Sequence, residues 1–150
     1  RFFAIFGGLV LLIAALISIF SIFGRVVFSS PILGDFELVE IACAVAIGSF
    51  LPLCHLKNGN VIVDFITAKL SKNKIYFLDA LSSLIFGLTA LFFSFRMVLG
   101  ARDMFVYQEE TMLLAFPIWI PFLPVIASFF FLTICCFYTF IIKIFNIVGN

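Results

Sequence analysis

The sequence predicts an all-α membrane protein with four transmembrane helices and a short amphipathic helix at the membrane interface. Three observations support this fold class. First, 65% of the 150 residues are hydrophobic and only 11% are charged, whereas soluble domains are about half apolar. Second, four apolar runs have the length that crosses a bilayer, which takes about 20 helical residues. Third, the alternating pattern of a membrane barrel is absent, so helices are expected to satisfy the backbone in lipid.

The four predicted spans form a single membrane domain that takes up residues 1–150. They cover residues 2–23, 36–56, 75–99 and 117–142. The first run is long and no Ala-x-Ala site follows it, which favours a span over a cleaved signal peptide. Pro52 removes a backbone hydrogen bond from the second span and is expected to kink it.

Residues typical of membrane boundaries limit the third and fourth spans. The third begins near Asp79 and ends near Arg96, whose side chain is expected to extend to the membrane surface. The fourth opens with several prolines and with Trp119, a residue type that prefers the boundary between water and lipid. A loop is expected between these two spans, from Gly100 onward.

A short amphipathic segment lies between the second and third spans. Residues 61–70 place five apolar side chains on one helical face and Asp64 elsewhere, and Asn60 is a plausible cap. About ten residues are too few to cross a bilayer, so we expect a helix lying on the membrane surface.

Basic residues predict the orientation. The segment between the second and third spans carries four lysines, which are expected at the membrane surface: Lys57, Lys69, Lys72 and Lys74. Each of the other two connecting segments has a single arginine, Arg25 or Arg102. The positive-inside rule then places both termini and the amphipathic helix on the cytoplasmic side.

The sequence lacks the residue clusters that enzymes use. It has one histidine, His55, and shows no metal-ligand spacing, phosphate-binding loop or Ser/His/Asp set. Cys135 and Cys136 are adjacent within an apolar run, where thiols are unreactive. We therefore expect no catalysis, no cofactor and no metal. The net charge of +1, without a basic cluster interleaved with aromatic residues, argues against binding to nucleic acid.

Several ionisable residues near the span ends are candidates for contact sites. Glu37 and Glu40 lie on one side of the second helix. Two alternatives remain open for them: a buried contact with a partner protein, or hydration at the lipid headgroups. Asp64 either pairs with a lysine or is hydrated, and Asp79 is a candidate for a charge inside protein. The candidate partner-interface or structural residues are therefore Glu37, Glu40, Pro52, Asp64, Asp79 and Trp119.

Two groups of residues carry a resemblance to a known family. Around the second span they are Gly34, Glu37-Leu38-Val39-Glu40, Pro52, Lys57-Asn58-Gly59 and Ile62-Val63-Asp64. Around the start of the fourth span they are Glu110-Thr111, Leu113, Pro117-Ile118-Trp119 and Pro124. In this order and spacing they resemble the small membrane subunit, DctQ-type, of tripartite ATP-independent periplasmic (TRAP) transporters. One departure is Asn60, where many members have histidine.

The resemblance implies an accessory role in the inner membrane of a bacterium. Such a subunit pairs with a large membrane subunit that moves its substrate by a sodium-driven, elevator-like motion. A periplasmic binding protein delivers the substrate, an organic acid such as a C4-dicarboxylate or sialic acid. The small subunit binds neither substrate nor sodium and braces the static part of the large one within the lipid bilayer.

Two alternative functions belong to other classes. A small self-assembling four-span transporter needs an acidic residue at mid-membrane in its first span, and residues 2–23 contain none. A membrane thiol-redox protein needs paired reactive cysteines.

Overall fold

The structure of the chain, a computed structural model, describes residues 1–29, 32–57 and 72–148. These residues form four α-helices, which we label α1 to α4 in chain order. Their bounds are Phe2–Phe28, Asp35–Leu56, Lys72–Val106 and Trp119–Val148. All four are long and apolar enough to cross a membrane. The predicted four-helix, all-α fold class is therefore confirmed, and the described residues contain no strand beyond one isolated bridge between Glu110 and Pro117.

The third helix is longer than expected. The sequence predicts an end near residue 99, but α3 continues to Val106. It closes with Gln108 in the left-handed conformation, φ 52°, and with a hydrogen bond of 3.0 Å from Glu109 N to Met104 O. Gly100 and the charges after it resemble a loop in sequence, yet α3 accommodates the glycine and the exposed side chains of Arg102 and Asp103. Arg96 therefore lies ten residues before the end of α3, and the end of the membrane span near it stays a prediction.

Part of the predicted architecture lies outside the described residues. This holds for the amphipathic helix at 61–70, for Asp64 and for Lys69. Lys57 follows α2 and is exposed. Lys72 and Lys74 belong to the first turn of α3, and the positions of their side chains are not described.

The helices form an open layer in the spatial order α1, α2, α4, α3. α1 packs on α2, α2 packs on α4, and α4 packs on α3. The two helices at the edges, α1 and α3, each make their main contacts with a single neighbour. One end of the layer carries the α1–α2 and α3–α4 connections, and we call it the Glu37 end. The opposite end carries the C-terminus of α2, and we call it the His55 end.

Glycines mark the three helix crossings. A Cβ atom added to Gly7 would lie 3.0 Å from Cβ of Ser49, where α1 meets α2. One added to Gly48 would lie 3.3 Å from Cγ1 of Val125 on α4. Gly87 of α3 is similarly placed, 3.0 Å from a side-chain atom of α4. Such small residues let helix backbones approach closely in lipid.

The interior is composed mainly of small side chains, so the large rings lie outside. Apart from Leu132, the largest fully buried side chains are Cys136, Ser21, Ser49 and Ser128. Ser49 bonds within its own helix, where its Oγ donates to Val45 O at 2.7 Å. Many phenylalanines are exposed in consequence, among them Phe2, Phe20, Phe23, Phe77, Phe92, Phe93, Phe95 and Phe145.

Candidate functional site: a carboxylate held by the α3–α4 loop

The start of α2 is fixed by a glycine and by α1. Gly34 caps the helix with φ 77°, a left-handed conformation that favours glycine. Asp35 is the first helical residue. Its carboxylate accepts a hydrogen bond of 2.5 Å from Ser21 Oγ and lies 3.9 Å from the guanidinium of Arg25. Asp35 thus joins the beginning of α2 to the end of α1.

The α3–α4 loop is a narrow hairpin held by its own backbone. Ile118 N donates to Glu109 O at 3.1 Å, and Thr111 N donates to Phe116 O at 3.0 Å. Thr111 also accepts twice, at its Oγ1 from Phe116 N and at its carbonyl oxygen from Ala115 N. Residues 112–114 form the tip of this hairpin, which we call the loop tip.

The carboxylate of Glu37 binds the backbone of the loop tip. Its Oε1 accepts a hydrogen bond of 2.9 Å from Leu113 N, and its Oε2 accepts one of 3.1 Å from Leu114 N. Glu37 is only 6% exposed. Hydrogen bonds to an ionised acceptor are about twice as strong as neutral ones. We call this arrangement, Glu37 together with the two tip amides, the clasp.

A close apolar contact lies beside the clasp. A Cβ atom added to Gly34 would lie 2.5 Å from Cγ of Leu114. The side chain of Leu114 therefore covers Gly34 at the start of α2, while its backbone amide binds Glu37. The turn before α2 and the loop before α4 thus interlock at the Glu37 end.

The remaining candidates at this end do not join the clasp. Glu40, one turn along α2, is exposed, so the two glutamates that share a helix side in sequence have different surroundings. Trp119 is the first residue of α4, and its ring lies edge-on to that of Phe105, with 5.4 Å between centroids. This contact joins the end of α3 to the start of α4.

A second polar contact joins α3 and α4 towards the His55 end. Lys143 Nζ lies 2.8 Å from Asp79 Oδ2. The same ammonium lies 5.5 Å from the centroid of the Tyr76 ring. Both charged side chains are partly buried, with 20% of Lys143 and 32% of Asp79 exposed. Asp79 thus pairs within the chain, across the interface between two helices.

The residues weighed for chemistry lie apart from one another. Pro52 is buried inside α2, which continues past it to Leu56. His55, in the last turn of α2, is 5% exposed and its ring lies 5.6 Å from that of Phe86. Cys135 and Cys136 are buried in α4. Among the described residues, no group of three or more His, Cys, Asp or Glu is placed to hold a metal ion.

The clasp could not be predicted from local sequence, because Glu37 and its donors are 76 and 77 residues apart. The donors to Glu37 are backbone amides, which are present at almost every residue and cannot be recognised from the side-chain pattern of the sequence. One signal was present: the two groups of motif residues include Gly34 and Glu37 in one and Thr111 and Leu113 in the other. The structure brings these two groups together.

The fold and the site define a class of protein. The chain is a multi-pass membrane protein of four helices whose described polar contacts join its own elements. Residues 6–145 match the family model of the tripartite ATP-independent periplasmic transporters, DctQ component. The chain therefore belongs to the DctQ family, and it is a transporter component and not an enzyme. Comparisons with the curated proteins and with the solved structures give no match.

Proposed function

We propose that this chain is the scaffold subunit of a sodium-coupled transporter for organic acids, in which it braces the large membrane subunit. The observation that carries the proposal is the contrast between its inside and its outside. The described acidic residues with partners bind other parts of the same chain, as Glu37, Asp35 and Asp79 do. The edge helices meanwhile present wide apolar surfaces.

Fixed polar contacts suit a static frame. An elevator-type subunit moves one domain against another, so the stationary domain gains from a rigid neighbour that resists displacement. The clasp ties the two helix hairpins together at one end, and the pair formed by Asp79 and Lys143 joins α3 to α4 towards the other. These contacts support a role in bracing more than a role in moving substrate.

The loop tip is our candidate for contact with the periplasmic binding protein. With the termini on the cytoplasmic side, the Glu37 end faces the periplasm. Met112 at the tip is 98% exposed and Leu113 is 53% exposed, while their backbone is held by the clasp. Because the backbone of the tip is already fixed, a transient partner that binds its exposed apolar side chains loses little free energy to ordering of the loop.

The lysines and residues 61–70 complete the proposed arrangement in the bacterial inner membrane. The amphipathic segment lies on the cytoplasmic surface, with Lys57, Lys69, Lys72 and Lys74 near anionic headgroups. The substrate class, dicarboxylate or sialic acid, is set by the large subunit and the binding protein and not by this chain.

Uptake by reconstituted transporter tests the role. We expect proteoliposomes with the large subunit and binding protein alone to lose sodium-driven uptake, and addition of this chain to restore it. The chain with Glu40→Gln distinguishes the two alternatives for that exposed residue: full uptake indicates hydration, and reduced uptake indicates a contact with a partner protein.

Two results would refute the scaffold function. One is full uptake without the chain. The other is saturable binding of an organic acid or of sodium by the isolated chain, measured by calorimetry, since a brace has no such site.

A further inference from the structure

Arg96 lies at the level where the inner helices cross. α3 meets α4 through Gly87 and Cys136, and α4 meets α2 through Val125 and Gly48. α3 and α4 are antiparallel. Cys136 and Val125 are 11 residues apart. Eleven residues along α3 from Gly87 is position 98, two residues beyond Arg96, and this position lies at the level of Val125. At a rise of about 1.5 Å per residue, Arg96 is within about 3 Å of the level of Gly48.

Along α3, the nearest charged residue towards the Glu37 end is Arg102, about 9 Å from Arg96 and within one turn of the level of Trp119. α1 crosses α2 at the same level through Gly7, and from there it runs without a charge to Gly24, about 26 Å further. Towards the His55 end, Asp79 is about 26 Å from Arg96 along α3. The hydrocarbon core of a bilayer is about 30 Å thick. Wherever this core is placed between the levels of Gly24 and Asp79, it contains Arg96.

Arg96 points away from the rest of the chain. The buried residues of α3 that face α4 are Ala80, Ser83, Gly87, Ala90 and Ser94. Arg96 lies on the opposite side of the helix and is exposed, as is Phe92 one turn earlier, at 62%. Among the described residues, no carboxylate lies within salt-bridge distance of its guanidinium. A charge so placed in lipid is costly and is normally paired.

The outward face of α3 carries one apolar row and one polar row, and the polar row includes Arg96. Two sets of residues, each repeating every seven positions, run along this face: Leu78, Ile85, Phe92 and Leu99, and Ser82, Thr89, Arg96 and Asp103. Residues seven positions apart lie on the same side of a helix, so a neighbouring helix could contact both rows. The described part of the chain places no helix against this face, since α3 packs mainly on α4 from the other side.

We propose that this face of α3 packs against a membrane-spanning helix of the large subunit, and that Arg96 pairs there with an acidic side chain within the membrane. The inference rests on the proposed function and adds the location and chemistry of the contact. Charge complementarity selects the occupant, since lipid tails offer Arg96 no acceptor and an acidic side chain on a partner helix offers one. A second copy of the chain would set two arginines against each other where identical faces meet.

Co-purification tests the pairing. The tagged chain is expressed with the large subunit of its transporter and isolated in mild detergent. We expect Arg96→Leu to lower the recovered large subunit about tenfold, equivalent to about 1.4 kcal/mol, and Arg96→Lys to retain part of it. Arg102→Leu is the matched control, because Arg102 is exposed on the same helix but lies within one turn of the Trp119 level. It should bind as the unchanged chain does.

A photo-reactive residue at Phe92 in the otherwise unchanged chain identifies what covers the face, even if Arg96→Leu folds poorly. Cross-links to a helix of the large subunit support the proposal. An acidic residue of that helix, when changed to arginine, should then restore binding of the Arg96→Glu chain. Cross-links only to lipid, or only to a second copy, overturn it, as does full recovery of the large subunit with Arg96→Leu. Failure of the unchanged chain to retain the large subunit refutes the proposed function itself.

Discussion

At the scale of single residues, the clasp explains why a glutamate is buried at the start of a membrane helix. A buried carboxylate is costly unless hydrogen bonds replace the water it loses. Glu37 receives one backbone amide at each oxygen. It also lies in the first turn of α2, where the helix dipole favours a negative charge. The side chain thereby links two segments that are distant in sequence.

Removal of the charge of Glu37 should destabilise the fold. Glu37→Gln places an amide group against two N–H donors, so one of its two terminal atoms can no longer accept. We expect the free energy of unfolding to fall by about 2 kcal/mol, in the range for hydrogen bonds to charged groups. Thermal unfolding in nanodiscs, followed by fluorescence of the single tryptophan, Trp119, measures the change. Glu40→Gln, one turn away and exposed, should shift stability by less than about 0.5 kcal/mol.

Gly34 should tolerate no larger residue. Gly34→Ala meets two penalties: the left-handed backbone conformation, which costs about 1 kcal/mol for a residue with a Cβ, and the contact with Leu114. Adding Leu114→Ala should remove the second penalty and leave the first. A double-mutant cycle on thermal midpoints measures the coupling, and strict additivity of the two changes would contradict the packing described here.

At the scale of helices, the sequence predicts what depends on composition and misses what depends on contacts. The four spans follow from runs of apolar residues, and each coincides with a helix. The length of α3 does not follow, because Gly100 and the charges after it fit either a loop or a helix above the membrane. The order of the helices also depends on glycine crossings such as Gly7 with Ser49, which no local pattern of α1 reveals.

Adjacent glycines of α1 offer a direct test of helix packing. Gly7 lies against α2, whereas a Cβ on Gly8 meets no atom within 4 Å. Gly7→Val should therefore lower the free energy of unfolding by about 2 kcal/mol through overpacking, while Gly8→Val should be close to neutral. Cysteine cross-linking between α1 and α2 reports whether the crossing is kept. Equal effects of both substitutions would argue against the crossing.

The ion pair between α3 and α4 should respond to a charge exchange. Asp79→Asn leaves Lys143 without its partner and should cost about 1 kcal/mol or less, because both side chains are partly exposed. The double change Asp79→Lys with Lys143→Asp should recover most of that loss. Thermal midpoints of the three variants test this, and no recovery in the double variant would show that the pair itself is not the source of the effect.

At the scale of the whole molecule, the open layer leaves most of the edge helices uncovered. In the most apolar stretch of each edge helix, only 11% of the residues of α1 and 17% of those of α3 are buried. Lipid tails can cover such surfaces, but they offer Arg96 no hydrogen-bond acceptor. The sequence predicts the apolar exterior from its many phenylalanines, whereas the depth and direction of Arg96 emerge only once the helices are aligned.

Binding of the large subunit should stabilise the chain. A partner that binds only the folded form adds about 2.7 kcal/mol at a concentration 100 times its dissociation constant. We therefore expect a higher unfolding temperature for the chain in the complex than alone, measured in the same nanodiscs. Sodium or an organic acid added to the isolated chain should leave its midpoint unchanged, and a rise would contradict the absence of such a site.

The clasp has a consequence for how this protein can diversify. Glu37 recognises main-chain amides, which every residue type except proline supplies. The side chains of Met112 and Leu113 are therefore free to change over generations without loss of the tie to α2. Under the proposed contact with the binding protein, a loop anchored in this way can adapt to a new partner while its backbone shape is kept.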